Sequence, residues 1–276
     1  MPKVFEKIGV IGIGLIGGSF AKAFYKKGYK IYGLDSNNET LLKAIESDIF
    51  EGVANTLDDF LTFDLDLIYI TTPVSSAKKI LRDLSAKNIT IPITDACSTK
   101  FSLVKLAKEL NLNFYGGHPI AGKEKSGFEY SDDNMLKGAY HFLTVEKDDD
   151  TVLALKKMHE EIGMVVKVMD AKKHDELFGL ISHFPHLIAF ALIDLVDIKN
   201  RDAFGFTGGG FKDFTRIAAS EPRMWTDIFL DNSEVVVSLI DEFINILNSW
   251  KDNILDKKED AIFHDIGLIS NIRRGL

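Results

Sequence analysis

The stretch KIGVIGIGLIGGSF, Lys7–Phe20, decides the architecture. Its first half, Lys7–Ile13, is a short continuous β-branched run, the pattern of a strand buried on both faces. Glycines follow at 12, 14 and 17, the G-x-G-x-x-G spacing, and Gly17–Lys27 then reads as a helix that stops at Gly28. Gly12 permits the tight turn, Gly14 lets backbone approach a pyrophosphate, and Gly17 lets the helix pack on the strand. The phosphates rest on the free N–H groups that open the helix, at Leu15 and Ile16. The next strand, Lys30–Leu34, closes on Asp35. That carboxylate suits ribose hydroxyls and repels a 2′-phosphate, and the following Ser36-Asn37-Asn38 supplies no arginine for one. Glycine-rich turns are common, but this one sits between a strand and a helix with an acid closing the second strand. The context makes it a predicted NAD site.

Working outward, short β-branched runs recur at Leu67–Thr71, Ile91–Asp95, Asn113–Tyr115, Tyr140–Val145 and Met164–Val168. Helical stretches lie between them, most clearly Ser75–Ser85 and Phe101–Leu110, with another near Thr151–Glu161. Alternating β and α with short links predicts a doubly wound parallel sheet of Rossmann type with helices on both faces. After Asp170 strand patterns vanish, and Lys172–Val196, Phe211–Ala219 and Glu234–Trp250 read as helices before a polar tail. The expected division is an α/β domain over 1–170 and an all-α domain over 171–276.

The chain has 276 residues, a formal net charge of −8 and one cysteine. That charge argues against a nucleic-acid partner, which needs a basic stripe. One cysteine excludes an internal disulfide framework, and the N-terminus lacks a secretory pattern, so a cytoplasmic protein is expected. No apolar run reads as long enough to cross a membrane.

Later strands of such a sheet end at the same crevice. Thr71-Thr72-Pro73 closes one and is assigned to the cofactor; Asp95-Ala96-Cys97-Ser98-Thr99-Lys100 closes another. Ser98 fits a helix N-cap and equally a site hydroxyl, and Lys100 a surface lysine or a site cation. Cys97 reads as a small buried residue, with no activating histidine beside it in sequence. Next comes Gly116-Gly117-His118-Pro119-Ile120-Ala121-Gly122, where Pro119 holds His118 out of helical backbone. A histidine on a rigid loop at this edge is placed for proton transfer.

In the helical half, Ser182 and His186 share a helix face in Ser182-His183-Phe184-Pro185-His186, and Pro185 is expected to kink it. The histidine spacing is tolerable for a metal, but no carboxylate or cysteine completes a set, so no metal is assigned. Arg216 lies among Phe214, Ile217 and Ala218 after the glycine run 208–210, and is expected to be partly buried. It fits a pair with Asp213 or a substrate carboxylate held in bidentate fashion.

Taken in order, GIGLIGGS (12–19), D-x-x-S-x-K (95–100), HPIAG (118–122), SHFPH (182–186) and GGGFKDFTRIAASEPRMW (208–225) resemble the prephenate/arogenate dehydrogenase family of tyrosine biosynthesis. The resemblance runs from about residue 7 to 256. It implies NAD(P)-dependent oxidative decarboxylation: prephenate to 4-hydroxyphenylpyruvate and CO2, or arogenate to tyrosine and CO2. By the same resemblance His118 takes the substrate hydroxyl's proton and Arg216 holds a substrate carboxylate. Ser98, His186 and Ser182 complete the pocket, with Lys100 and Glu124 as further candidates. A homodimer through the helical domain is also implied. Lys123 departs from the family, which commonly has a small hydroxyl residue after HPIAG, and this cation bears on the choice between prephenate and arogenate. Too few residues follow 256 for an ACT domain, and none precede the first strand for a fused chorismate mutase, so any feedback by tyrosine would be expected to act at the active site itself. Two other readings compete. A β-hydroxyacid or imine dehydrogenase typically relies on a lysine in its helical half, and no comparably placed one is present. A non-catalytic NAD sensor predicts binding without turnover and indifference to His118.

Overall fold

The computed structural model describes residues 4–123, 125–145 and 149–276. β1 (Lys7–Ile11) enters the glycine turn and α1 (Leu15–Lys26), followed by β2 (Lys30–Leu34), α2 (Asn38–Glu46) and β3 (Phe50–Ala54). A one-turn helix, α3 (Leu57–Phe60), leads to β4 (Leu67–Ile70), α4 (Val74–Ala86), β5 (Ile93–Asp95), α5 (Phe101–Glu109) and β6 (Phe114–Pro119). β7 (Tyr140–Thr144), α6 (Asp150–Glu161) and β8 (Val165–Met169) complete one sheet, ordered β3-β2-β1-β4-β5-β6-β7-β8. All neighbours run parallel except β6 and β7. The chain reverses its winding between β1 and β4, so the crevice at their carboxyl ends is the expected ligand site.

Helices on both faces explain the apolar central strands: Ile8, Val10, Leu67, Ile68, Tyr69 and Ile70 are sealed from solvent. On one face Phe20 and Phe24 of α1 pack on Tyr69; on the other, Leu81 and Leu84 of α4 cover Ile68 and Ile70.

Four sequence expectations change. β3 carries no clear strand pattern, because its edge position leaves Glu51 exposed and Gly52 in mid-strand. The supposed loop at His118 is the end of β6, where Gly116 pairs with Thr144 and His118 with Phe142. Its glycines mark close strand approach rather than a turn, since a side chain on Gly117 would strike the Asp95 carbonyl. The polar tail after Trp250 is largely helical. Finally, α7 (Ala171–Phe178), a π-helical turn (Gly179–His183) and α8 (Phe184–Asn200) form one continuous helical run. Pro185 sits in the first turn of α8, and the widened turn before it absorbs its missing N–H.

That run, Ala171–Phe206, contains an 18-residue window of mean hydropathy 1.6, so it is long and apolar enough to cross a membrane by length and composition. The sequence reading missed this because Ser182, His183 and His186 interrupt it. α9 (Gly209–Thr215) and α10 (Pro222–Asp231) follow, the latter unforeseen. The chain forms two compact units, Met1–Asn232 and Ser233–Leu276. The second is a helical pair, α11 (Ser233–Leu255) and α12 (Glu259–Arg274), which leaves Phe263 and Ile272 exposed.

Candidate active site

The glycine turn is built as its spacing implies. Gly12 has φ +93° and donates its N–H to the Leu34 carbonyl at 2.8 Å. A Cβ there would lie 2.7 Å from the Thr72 methyl, and one on Gly17 would strike the Gly12 carbonyl. A Cβ on Gly14 meets nothing within 4 Å, so backbone there is open to a closely approaching ligand. The N-terminus of α1 at Leu15 and Ile16 has neither a side-chain cap nor an acid in its first turn, which fits an anionic group. Asp35 accepts from Ile13 N at 2.8 Å through Oδ2 and from Asn37 N at 2.9 Å through Oδ1. It thereby braces the turn against the end of β2, and each oxygen of this partly exposed residue keeps a lone pair for a hydroxyl. Thr71 Oγ1 donates to the Gly12 carbonyl at 2.6 Å; Thr72 is partly exposed beside it and Pro73 opens α4.

Across the crevice, Lys100 departs from expectation. It is neither a surface nor a crevice cation but completely buried, its ammonium bonded to Asp95 and, at 2.6 Å, to the Gly117 carbonyl. Asp95, also completely buried, accepts from Gly117 N at 2.8 Å and Cys97 N at 2.9 Å. Ladder pairing between β5 and β6 ends at Thr94 and Tyr115, so this ion pair joins the strands where their backbones part. Cys97 is buried, and burial pushes its thiol well above the ordinary range. Ser98 is half-buried and does not cap α5; no described residue bonds its hydroxyl. Instead Asp175 of α7 caps α5, accepting from Lys100 N at 2.8 Å and Phe101 N at 2.9 Å.

His118 is 9% exposed, with Nδ1 2.9 Å from His174 Nε2 and its ring against Phe178. No described residue bonds its Nε2, and that nitrogen is not among the sealed, unpartnered atoms. Burial above all holds the His118 pKa well below the usual imidazole range, and the neighbouring His174, Lys100 and His183 add no negative charge to oppose it. His183 Nδ1 lies 3.1 Å from Asn232 Nδ2, while its Nε2 is sealed and unpartnered.

A second cluster lies on α8 and α10. His186 stacks on Trp225, centroids 3.7 Å apart, and its Nδ1 lies 2.9 Å from the carbonyl of half-buried Ser182. Burial, then the Arg216 charge, lowers the His186 pKa, so its Nε2 is a neutral acceptor beside a cation. Arg216 itself is exposed, against the expectation of partial burial, because it leaves α9 in a short turn at the surface. Lys123 pairs with Asp132 at 3.0 Å. Glu124 lies outside the described residues.

Sequence reading missed His174, Asp175, Trp225 and Asn232. A usable signal existed for two of them: Ala171, His174, Asp175 and Phe178 are buried at the i, i+3, i+4, i+7 spacing of a core-facing stripe. Lysines and glutamate around the His-Asp pair make it look solvated.

Residues 20–168 match the family described as prephenate dehydrogenase, nucleotide-binding domain, and residues 170–267 match prephenate dehydrogenase, dimerization domain. The chain belongs to the prephenate dehydrogenase family. Prephenate dehydrogenase of Lactococcus lactis is 32% identical, across 94% of this chain and 74% of that protein. The crystal structure of Aquifex aeolicus prephenate dehydrogenase in complex with hydroxyphenyl propionate and NAD+ is 39% identical, with a TM-score of 0.90 over 97% of both chains. Synechocystis arogenate dehydrogenase is 26% identical, with a TM-score of 0.79 over 97% of this chain and 98% of that one. As a member of the prephenate dehydrogenase family, the chain is an oxidoreductase with a nucleotide-binding domain followed by a dimerization domain.

Proposed function

We propose that the chain is an NAD-dependent prephenate dehydrogenase, converting prephenate to 4-hydroxyphenylpyruvate and CO2. The observation that carries this is His118 at the end of β6, neutral, with Nδ1 committed to His174 and Nε2 bonded by no described residue. Gly12, Gly14, Gly17 and the N–H groups of Leu15 and Ile16 hold the pyrophosphate, Asp35 the adenosine ribose, and Thr71, Thr72 and Pro73 the neighbouring wall. Bound NAD supplies the acceptor for the hydride that leaves the substrate's carbinol carbon. His118 Nε2 takes the hydroxyl proton as the carbonyl forms, and Ser98 donates to the same oxygen. The ring carboxylate leaves as CO2, its electron pair passing through the ring to the carbonyl oxygen, which takes the proton back from His118 as the phenol forms, and aromatisation makes the step irreversible in practice. Arg216 holds a substrate carboxylate, with His186 and Ser182 beside it. Glu124, which lies outside the described residues, is a further candidate for substrate binding. Lys100 acts beneath the site, holding β6 to β5.

Residues 1–170 form the NAD domain and 171–276 the substrate and dimerisation domain. The apolar residues exposed on α8, α11 and α12 pair with a second copy, so the apolar Ala171–Phe206 run is a subunit surface in a cytoplasmic homodimer. Similarity to the Synechocystis enzyme supports arogenate as a second reading. The two substrates share the cyclohexadienol and differ at the side chain. Assays of both substrates with NAD and NADP decide among these readings. Replacing His118 by Asn should collapse kcat, by about 10²–10⁴-fold, with little change in substrate affinity. Turnover surviving that change overturns the proton-acceptor role.

A further inference from the structure

We propose that His174 and Asp175 are positioning residues that fix the proton of His118 on Nδ1 and so leave Nε2 as the base facing the substrate. The inference rests on the assignment of His118 as proton acceptor and adds what sets its tautomer.

The argument starts at Asp175. Its Oδ1 accepts from Lys100 N and its Oδ2 from Phe101 N, at the amino end of α5. A carboxylate so placed accepts and does not donate. His174 Nδ1, 2.8 Å from Oδ1, therefore carries a proton. Burial holds His174 below the usual imidazole range against the opposing pull of Asp175, so its ring is neutral and its Nε2 bare. The 2.9 Å contact from His174 Nε2 to His118 Nδ1 then needs the proton on His118. A neutral His118 with Nδ1–H has its lone pair on Nε2, the nitrogen that no described residue bonds.

The surroundings leave few ways out of this arrangement. Phe142 and Phe178 pack on the His174 ring with centroids 6.2 and 4.6 Å away. The charged and titratable groups facing the two rings are Lys100, Asp95, Asp175 and His183. Lys100 and Asp95 neutralise each other, and His183, held near pKa about 4, is neutral. In the reaction the substrate O–H bond breaks and Nε2–H forms; both Nδ1 protons stay in place. The resulting imidazolium already donates to His174, whose far side rests on a carboxylate, so its charge is stabilised without reorientation. The logic is that of a buried acid orienting a catalytic histidine, with one ring interposed.

The deciding measurement is the tautomer of His118 from long-range ¹H–¹⁵N correlation spectra of the ring-labelled, full-length protein. The expected result is a protonated Nδ1 and a bare Nε2. Asp175→Ala removes the acceptor that keeps the His174 proton on Nδ1, freeing both rings to change tautomer, and should lower kcat by roughly 10²–10⁴-fold with KM held. His174→Phe suits the Phe142–Phe178 wall and keeps the Asp175 cap, so it tests the relay without uncapping α5. It should lower kcat similarly, and His174→Gln, whose side-chain carbonyl accepts from Nδ1–H, should recover part of the loss. A wild-type His118 protonated on Nε2, or His174→Phe with unchanged kcat, overturns the proposal. A protonated Nδ1 in an enzyme that does not oxidise prephenate supports the relay and overturns the assigned reaction instead.

Discussion

Replacing Lys100 by Met tests whether the buried ion pair holds the floor of the site. The substitution keeps an unbranched chain of similar volume and deletes only the ammonium. Asp95 is then left sealed from solvent with two N–H donors but no counter-charge, and the Gly117 carbonyl loses its donor. Breaking a buried pair from one side costs about 3–5 kcal/mol, because the stranded charge keeps its desolvation penalty. In a protein of this size each kcal/mol moves the melting temperature by roughly 2–4 °C, giving a fall of roughly 6–20 °C. Calorimetry of variant and wild type at one protein concentration reads the shift, since dimer formation makes Tm concentration-dependent. Adding Asp95→Asn removes the stranded charge while keeping an oxygen for one of the two backbone donors. The double variant should therefore be more stable than Lys100→Met alone. A single variant melting within about 2 °C of wild type refutes the reasoning, as the smallest stated cost exceeds that. A double variant whose losses simply add refutes it too.

Two further outcomes follow from the site. His118 must be neutral to accept a proton, and its pKa is depressed by burial, so kcat/KM for prephenate should stay level as pH falls through about 6.5. The acid limb appears only below that, and a limb at or above the ordinary imidazole value contradicts the assignment. Arg216→Ala should act on KM with kcat little changed. Because Arg216 is exposed, its loss matches a charge-assisted hydrogen bond, about 1.5–3 kcal/mol, or a KM increase of roughly 10- to 150-fold. Steady-state kinetics with prephenate read both parameters, and a fall confined to kcat sinks the carboxylate role.

The cofactor half was legible because its signals are local. Gly12, Gly14, Gly17 and Asp35 lie within 24 residues, and each answers to backbone geometry or a strand end nearby. The catalytic face was legible only in part. His118 stood out, but Gly116 and Gly117 suggested a loop, since nothing local shows that Thr144 and Asp95 crowd them from other strands. Lys100 looked like a surface or site lysine because its partners, Asp95 and Gly117, are joined to it only by the sheet. His174 and Asp175 were hidden among Lys172, Lys173 and Glu176, which occupy the solvent side of the same turns.

The long-range acids also explain where the pyrophosphate goes. Among the helices that start at the carboxyl edge of the sheet are α1, α4 and α5, and each amino end presents unpaired N–H groups and partial positive charge. Asp227 of α10 occupies the start of α4, accepting from Ser75 N at 3.1 Å and from Ser75 Oγ. Asp175 of α7 occupies the start of α5. Asp231 adds contacts to Lys78 and Ser102 on the same two helices. Each carboxylate cap is worth about 0.3–1 kcal/mol, up to about 2 when partly buried, so these residues dock α7 and α10 onto the sheet's helices. They also cancel the attraction of α4 and α5 for a second anion. α1 alone of the three keeps an uncapped amino end, and its glycine turn is the one with room for close approach at Gly14. The acids that fasten helices α7 and α10 therefore leave the amino end of α1 as the one of the three still free to receive an anion, which supports the pyrophosphate position proposed above.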